Sequence, residues 1–327
     1  MAASAKVRLW MYQKMVTARL FEERLKLAYL EGKQPVFNMA KGPLPGEMHL
    51  ASGQEPCAVG VCAHLRADDC VTAPHRAHHV AIAKNVDLRR MAAEIFGKAT
   101  GLSGGRGGHM HLFDAAVNFS NSGIIAAGMG PAVGMALAAK LQGRDSIAIS
   151  YIGEGAANQG AFHESLNLAA VWKAPVVFVI EDNAWGISVE KRESTAVERN
   201  SIRAQGYDMP GIFVPGNDAD AVYEVAGAAI ERARAGEGPT LIEIETHRLE
   251  GHFMGDAEKY RPPGEVARLQ AIDPIPAYRQ RLSASGVSAA ELDAAETSAR
   301  ELVDDAIASA RAAPTPIPAD ALTCVFI

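Results

Sequence analysis

Cysteine is scarce in this 327-residue chain, and the four present have no spacing that bridges or chelates. Cys57, Cys62, Cys70 and Cys324 form no C-x-x-C pair and no dense framework. That excludes a disulfide scaffold and fits reduced, structural thiols in a cytoplasmic protein. The one alternative left open is that Cys57 and Cys62 join nearby histidines around a metal. A basic block is also missing: 32 Lys and Arg stand against 38 Asp and Glu, so no segment reads as a nucleic-acid arm. No apolar run approaches a membrane span, and the charged opening MAASAKVRLWMYQKM is not expected to be a signal peptide. Internal repeats and low-complexity segments are absent too. What remains is 48% hydrophobic residues, enough for the core of one large domain or two modest ones.

The most informative stretch runs from Ser146 to Asn183. An apolar β-branched run (Ile147, Ile149, Ile152) stops at Gly153-Glu154-Gly155, a helical segment follows, and a second run (Val176 to Ile180) ends in Glu181-Asp182-Asn183. This predicts a βαβ unit with its chemistry at the carboxyl ends of both strands, beside a helix N-terminus that favours an anion. The glycines admit backbone amides to a phosphate, while Glu154 and Asn183 offer oxygen ligands to a hard cation such as Mg²⁺. A nicotinamide-type G-x-G-x-x-G fails, because Asn158 holds the third glycine position. The plain alternative is an ordinary βαβ turn with a solvated Glu.

Upstream, residues 5 to 31 space Leu9, Met15, Leu20, Leu25 and Leu27 as a helix stopped by Gly32. The loop QPVFNMAKGPLPGEMHLASGQEP then leads to a helix over 56–65; by itself His49 reads as a loop histidine capping that helix. A short strand over 69–72 precedes His75-Arg76-Ala77-His78-His79. Arg76 would be unfavourable beside zinc ligands but pairs well with phosphate oxygens, so phosphate contact is expected there. SGGRGGHMHLF (103–113) is too glycine-dense for helix or strand; it is either a flexible loop or a mount for a His109/His111 zinc pair. A helix is expected from near Pro131 to Gly143. After the central unit come a further αβ step over 201–218, a helix capped by Asp218 and an alternating strand, Leu241 to Thr246. It feeds Arg248, a second phosphate partner, and His252, a proton-transfer or phosphate-contacting group. The tail shows a helix to about Leu282 and a Ser288–Glu291 capping box opening another, apolar at Leu292, Ala295, Ala299, Leu302 and Ile307.

HLASGQE, HRAHH, GGRGGHMH, GEGAANQG, EDNAWG and RLEGH, in that order, resemble the α subunits of thiamine-diphosphate-dependent E1 components of 2-oxoacid (pyruvate) and acetoin dehydrogenase complexes. The likeness runs from about residue 10 to the C-terminus. It implies an α/β fold with a mainly parallel sheet, helices on both faces and a C-terminal helical extension. We expect a cofactor domain over 1–272 and an extension over 273–327 that packs on a partner subunit.

The resemblance also assigns the site. Glu154, Asn183 and the Trp185 carbonyl would hold Mg²⁺. His75, Arg76, Arg248 and the Gly155 and Ala156 amides would hold the diphosphate, and backbone groups of Gly123 and Ile125 the aminopyrimidine. His49 would face substrate and His252 the thiazolium. The implied reaction cleaves a C–C bond beside the carbonyl of pyruvate or acetoin and passes the acyl unit to lipoamide of an E2 acyltransferase. The carboxylate that exchanges a proton with the pyrimidine comes from a β subunit in this family, so an α₂β₂ assembly is expected. HRAHH is closer to the acetoin-type version, and HLASGQE departs from branched-chain enzymes. Glu154 replaces the usual Asp, Glu47 a usual aromatic residue, and His109 a usual Ser. Phe253 stands where some relatives carry a regulatory serine, so phosphorylation there is not expected. Two other classes stay open: a nucleotide-dependent α/β enzyme, and a non-catalytic or altered-specificity E1-like subunit.

Overall fold

The computed structural model describes residues 2–33 and 37–323; residues 34–36 of the long loop, Cys324 and the last three residues lie outside them. In chain order the elements are α1 (Ala5–Leu30), α2 (Glu55–Cys62), β1 (Cys70–Ala73), α3 (His78–Ala83), α4 (Leu88–Ile95), β2 (Phe113–Asp114), β3 (Phe119–Asn121), α5 (Met129–Leu141) and β4 (Ala148–Gly153). Then come α6 (Gly160–Trp172), β5 (Val176–Asp182), the hairpin strands β6 (Trp185–Gly186) and β7 (Val189–Glu190), α7 (Lys191–Ser194) and β8 (Gly211–Val214). The chain closes with α8 (Ala219–Arg234), β9 (Thr240–Glu245), α9 (Glu265–Ala271), α10 (Pro274–Ala284) and α11 (Ala289–Ala312).

Seven strands form one sheet in the order β2-β3-β1-β4-β5-β9-β8, parallel except for the edge strand β2. The central strands are apolar at nearly every position because both faces are covered. Alternate side chains serve different cores. Ile149, Tyr151, Val177, Val179, Ile242 and Ile244 join the larger core, with α1 to α4 and α8. Ala148, Ile152, Val176, Phe178, Ile180 and Leu241 join the smaller one, with α5 and α6. The two-residue period of a strand therefore divides one apolar run between two helical layers.

α1 starts at Ser4, whose side chain accepts from Val7 N, and α11 carries the expected capping box. The 272/273 boundary does not divide the core: Tyr278, Leu282, Leu292, Val303 and Ile307 belong to the larger cluster, and α11 packs on α1 and α4 of its own chain. Leu302 is not part of that stripe; it is 49% exposed, and Val303 is buried instead. Leu27 is likewise exposed. The helix after the glycines also begins later than expected. Residues 154–158 form a 3₁₀ turn, and α6 starts only at Gly160 behind Gln159. The amides of Gly155 and Ala156 thus belong to the first turn of the 3₁₀ segment, where N–H groups have no partner within the turn.

Leu292→Ala leaves a cavity between α11 and its neighbours, since Leu292 is fully buried. Chemical denaturation should show a loss of about 2–5 kcal/mol; a loss below about 0.5 kcal/mol would place α11 outside the cooperative core.

Candidate active site

The carboxyl ends of β1, β4, β5 and β9 open onto one cavity of about 420 Å³. β1 delivers His75 and Arg76, β4 Glu154 to Ala156, β5 Asn183 and Trp185, and β9 Arg248 and His252; all line it, as does Ile125. Two expected residues do not. Gly123 lies against the glycine-rich loop, where an added Cβ would stand 3.3 Å from His111 Nε2. His49 sits behind the wall, its ring 4.6 Å from that of His75 and 5.1 Å from that of His252.

Charge defines the cavity. Arg76 and Arg248 are 4% and 1% exposed, and among the described residues neither forms an ion pair. Arg76 donates to the carbonyls of Leu50 (2.5 Å) and His252 (2.6 Å). Arg248 donates to the Glu250 carbonyl (3.1 Å) and the Tyr260 hydroxyl (2.8 Å). Burial, then the neighbouring Arg248 charge, pulls Arg76 down to about 9. Two buried guanidiniums held only by neutral acceptors form a site for an anion with several oxygens.

A buried carboxylate faces the same space. Glu154 is 2% exposed, and burial followed by the nearby Asp182 pushes it up to about 7. Its Oε2 accepts from Asn183 N at 3.4 Å. Asn183 Nδ2 donates to Gln54 Oε1 at 2.9 Å, and Oδ1 accepts from Trp185 N at 3.1 Å. Those bonds orient the amide and leave a second lone pair on Oδ1. The carboxylate, the amide oxygen and a carbonyl at Trp185 are an oxygen set suited to a hard divalent cation. A Cβ on Gly153 would meet nothing within 4 Å, so the approach to this corner is open. The donors therefore fit a diphosphate with its metal.

The histidines separate into groups. His49, His75 and His252 each bring one ring nitrogen within 4.8 Å of the others. This is the one metal-type cluster among the described residues. It does not suit a cation, because His252 Nδ1 lies 3.3 Å from both Arg76 Nη2 and Arg248 Nη1. Burial and the adjoining Arg76 charge hold His75 and His252 down at about 3, so both are neutral imidazoles. His78 and His79 turn inward from α3: His78 Nδ1 is 3.0 Å from Glu22 and His79 Nε2 is 2.6 Å from Glu181. The five-residue histidine cluster is thus two pieces, one for the site and one for the core. The His109/His111 pair also fails to form, since His109 is buried against His49 and His111 is exposed. Cys62 contacts the Tyr151 hydroxyl and belongs to no metal-type group.

Two organising groups had no sequence signal. Glu94, fully buried on α4, accepts from Ser103 N (2.7 Å), Gly105 N (2.9 Å), Gly107 N (2.6 Å) and Gly108 N (3.3 Å). The loop is glycine-dense because it wraps this carboxylate: a Cβ on Gly101 would meet Glu94 Oε2 at 2.4 Å. Lys191 bridges Asp182 and Glu243, beneath the hairpin that brings Trp185, Ile187 and Val189 to the cavity rim. The partners are 9 to 52 residues apart, on elements that periodicity alone does not bring together.

Residues 13–319 match the family model described as Dehydrogenase E1 component. The α subunit of acetoin:2,6-dichlorophenolindophenol oxidoreductase from Bacillus subtilis (strain 168) is 43% identical over 321 residues, 98% of this chain and 93% of that protein. The same-named subunit from Cupriavidus necator is 42% identical, covering 98% of this chain and 94% of its own. The chloroplastic pyruvate dehydrogenase E1 component subunit alpha-3 of Oryza sativa subsp. japonica is 37% identical, over 97% of this chain and 75% of that protein.

Glu94→Gln replaces acceptor oxygen with an NH₂ group facing N–H donors. We expect a loss of about 1–3 kcal/mol and faster amide exchange over 103–108. Unchanged protection of those amides would remove the anchoring role.

Proposed function

The chain belongs to the dehydrogenase E1 component family, and from that premise we propose that it is the α subunit of a thiamine-diphosphate-dependent E1 enzyme. It cleaves the C–C bond beside the carbonyl of acetoin or pyruvate and passes the acyl unit to lipoamide of an E2 acyltransferase. The observation that carries this reading is the pair of buried, unpaired guanidiniums opposite the buried Glu154. The acetoin-type relatives, at 43% and 42% identity against 37% for the rice pyruvate subunit, favour acetoin. A cytoplasmic location accords with the bacterial origin of those relatives; among the described residues no helix is long and apolar enough to cross a membrane.

When bound, thiamine diphosphate supplies the carbon nucleophile and the electron sink for such a cleavage. The protein's part is to bind and orient. Arg76 and Arg248 would neutralise the diphosphate, and His75 with the amides of Gly155 and Ala156 would help to position it. Glu154, Asn183 and the Trp185 carbonyl would hold Mg²⁺. Ile125 borders the ring end, while Gly123 is set back against the glycine-rich loop. His252 would hydrogen-bond substrate oxygens from the wall, with His49 packed against it from behind. The rim carries Ile124 (70% exposed), Ile187 (56%) and Val189 (46%). A β subunit seated there would exclude water, complete the site and form the α₂β₂ unit. No nucleic acid or membrane partner enters this scheme.

Calorimetry with thiamine diphosphate, Mg²⁺ and the β chain tests the reading: binding should require the metal, and Arg248→Met should weaken it about tenfold or more. Absence of binding under every condition would defeat the proposal. Glu154 is one methylene longer than Asp, while Mg²⁺ demands near-octahedral ligands at about 2.0–2.1 Å. Glu154→Asp should therefore raise Mg²⁺ affinity; equal affinities in the two forms would show that the extra methylene is accommodated.

A further inference from the structure

The histidines beside the cavity are held in defined tautomers, and the group that holds His49 lies outside the cofactor contacts. His49 donates its backbone N–H to His109 Nε2 at 3.2 Å. A backbone amide can only donate, so His109 Nε2 is unprotonated. His49 Nδ1 approaches the same atom at 3.0 Å. Two bare nitrogens at that separation would repel, whereas an N–H on His49 Nδ1 makes the contact a hydrogen bond. Burial and the surrounding positive groups hold His109 well below its ordinary range, so it stays a neutral acceptor. Its own placement is firm: its carbonyl accepts from Asn121 Nδ2 at 3.1 Å, and the amides just before it are gathered by Glu94.

His252 is held the opposite way. Its Nδ1 faces guanidinium nitrogens of Arg76 and Arg248, both at 3.3 Å. Guanidiniums only donate, so Nδ1 accepts and the proton of the neutral ring resides on Nε2.

We propose that His109 is a positioning residue that locks His49 as the Nδ1–H tautomer, leaving Nε2 bare as a hydrogen-bond acceptor beside His252, whose Nε2–H is a donor. One acceptor and one donor suit a 2-hydroxyketone, whose hydroxyl donates a hydrogen bond to His49 Nε2 and whose carbonyl accepts one from His252 Nε2. A 2-oxoacid carries only acceptor oxygens at those positions and leaves the bare His49 nitrogen unmatched. This selectivity rests on the E1 reading given above; the tautomers do not.

The test uses the full chain assembled with its β subunit. Magic-angle-spinning NMR with ring-¹⁵N histidine, the His49 signals being identified by their loss in His49→Gln, should show His49 as Nδ1–H in the wild type. His109→Ser cannot reach His49 and should release it to Nε2–H. His109→Gln, whose Oε1 accepts, should keep the wild-type tautomer. With acetoin, kcat should fall about 100-fold in His109→Ser, recover to within a few-fold in His109→Gln, and leave thiamine diphosphate affinity unchanged in both. Pyruvate turnover should fall much less. A wild-type His49 carrying its proton on Nε2 overturns the proposal, whether or not either variant folds. Equal losses in the Ser and Gln variants also overturn it, because they assign His109 a packing role only. A complex that shows the expected tautomers but turns over neither substrate upholds the lock and defeats the E1 reading instead.

Discussion

Two guanidinium groups, Arg76 and Arg248, share one cavity wall, and among the described residues no carboxylate forms an ion pair with either. Their fixed positive charge decides what the neighbouring groups can be. The histidines around them stay neutral, since a further cation there would add repulsion to desolvation. The arginines hydrogen-bond to carbonyls and a hydroxyl, which orient a guanidinium while leaving its charge available. A carboxylate at any of those positions would have closed the site to an anionic ligand.

The parallel sheet makes that concentration of charge tolerable. Four adjacent strands end on the same side, so residues from four distant parts of the chain reach one place on rigid supports. The side chains that fail to reach it are equally instructive. His78 and His79 sit next to His75 and Arg76 in sequence, yet α3 turns them onto Glu22 and Glu181 in the core. Those buried pairs fasten the start of α3 and thereby fix where β1 releases Arg76.

Much of this was legible in the residues. Gly153-Glu154-Gly155 and Asn183 close two apolar runs, and both lie at adjacent strand ends as a βαβ unit requires. Arg76, Arg248 and His252 were found through the chemistry of their types and their places after strands. Periodicity does not say which face of a short turn a histidine takes, so the division of residues 75–79 and the separation of His109 from His111 have no signal in the sequence. It marked a helix directly after the glycines, where the backbone makes a 3₁₀ turn first. It put Leu302 in the stripe of α11, although a helix of 24 residues drifts enough to bury Val303 instead. The contacts of Glu94 and Lys191 span 9 to 52 residues between elements with no shared pattern.

The carboxylate inside the glycine-rich loop has a consequence for how the cavity meets its ligand. Loops so rich in glycine ordinarily surrender much chain freedom when something binds beside them. Here an internal acid already gathers four amides, so the segment bearing His109 is shaped before any visitor arrives. Ordering entropy is then removed from the association step and charged to folding, where it is shared with the rest of the core. The wall behind His49 is accordingly a template rather than a closure.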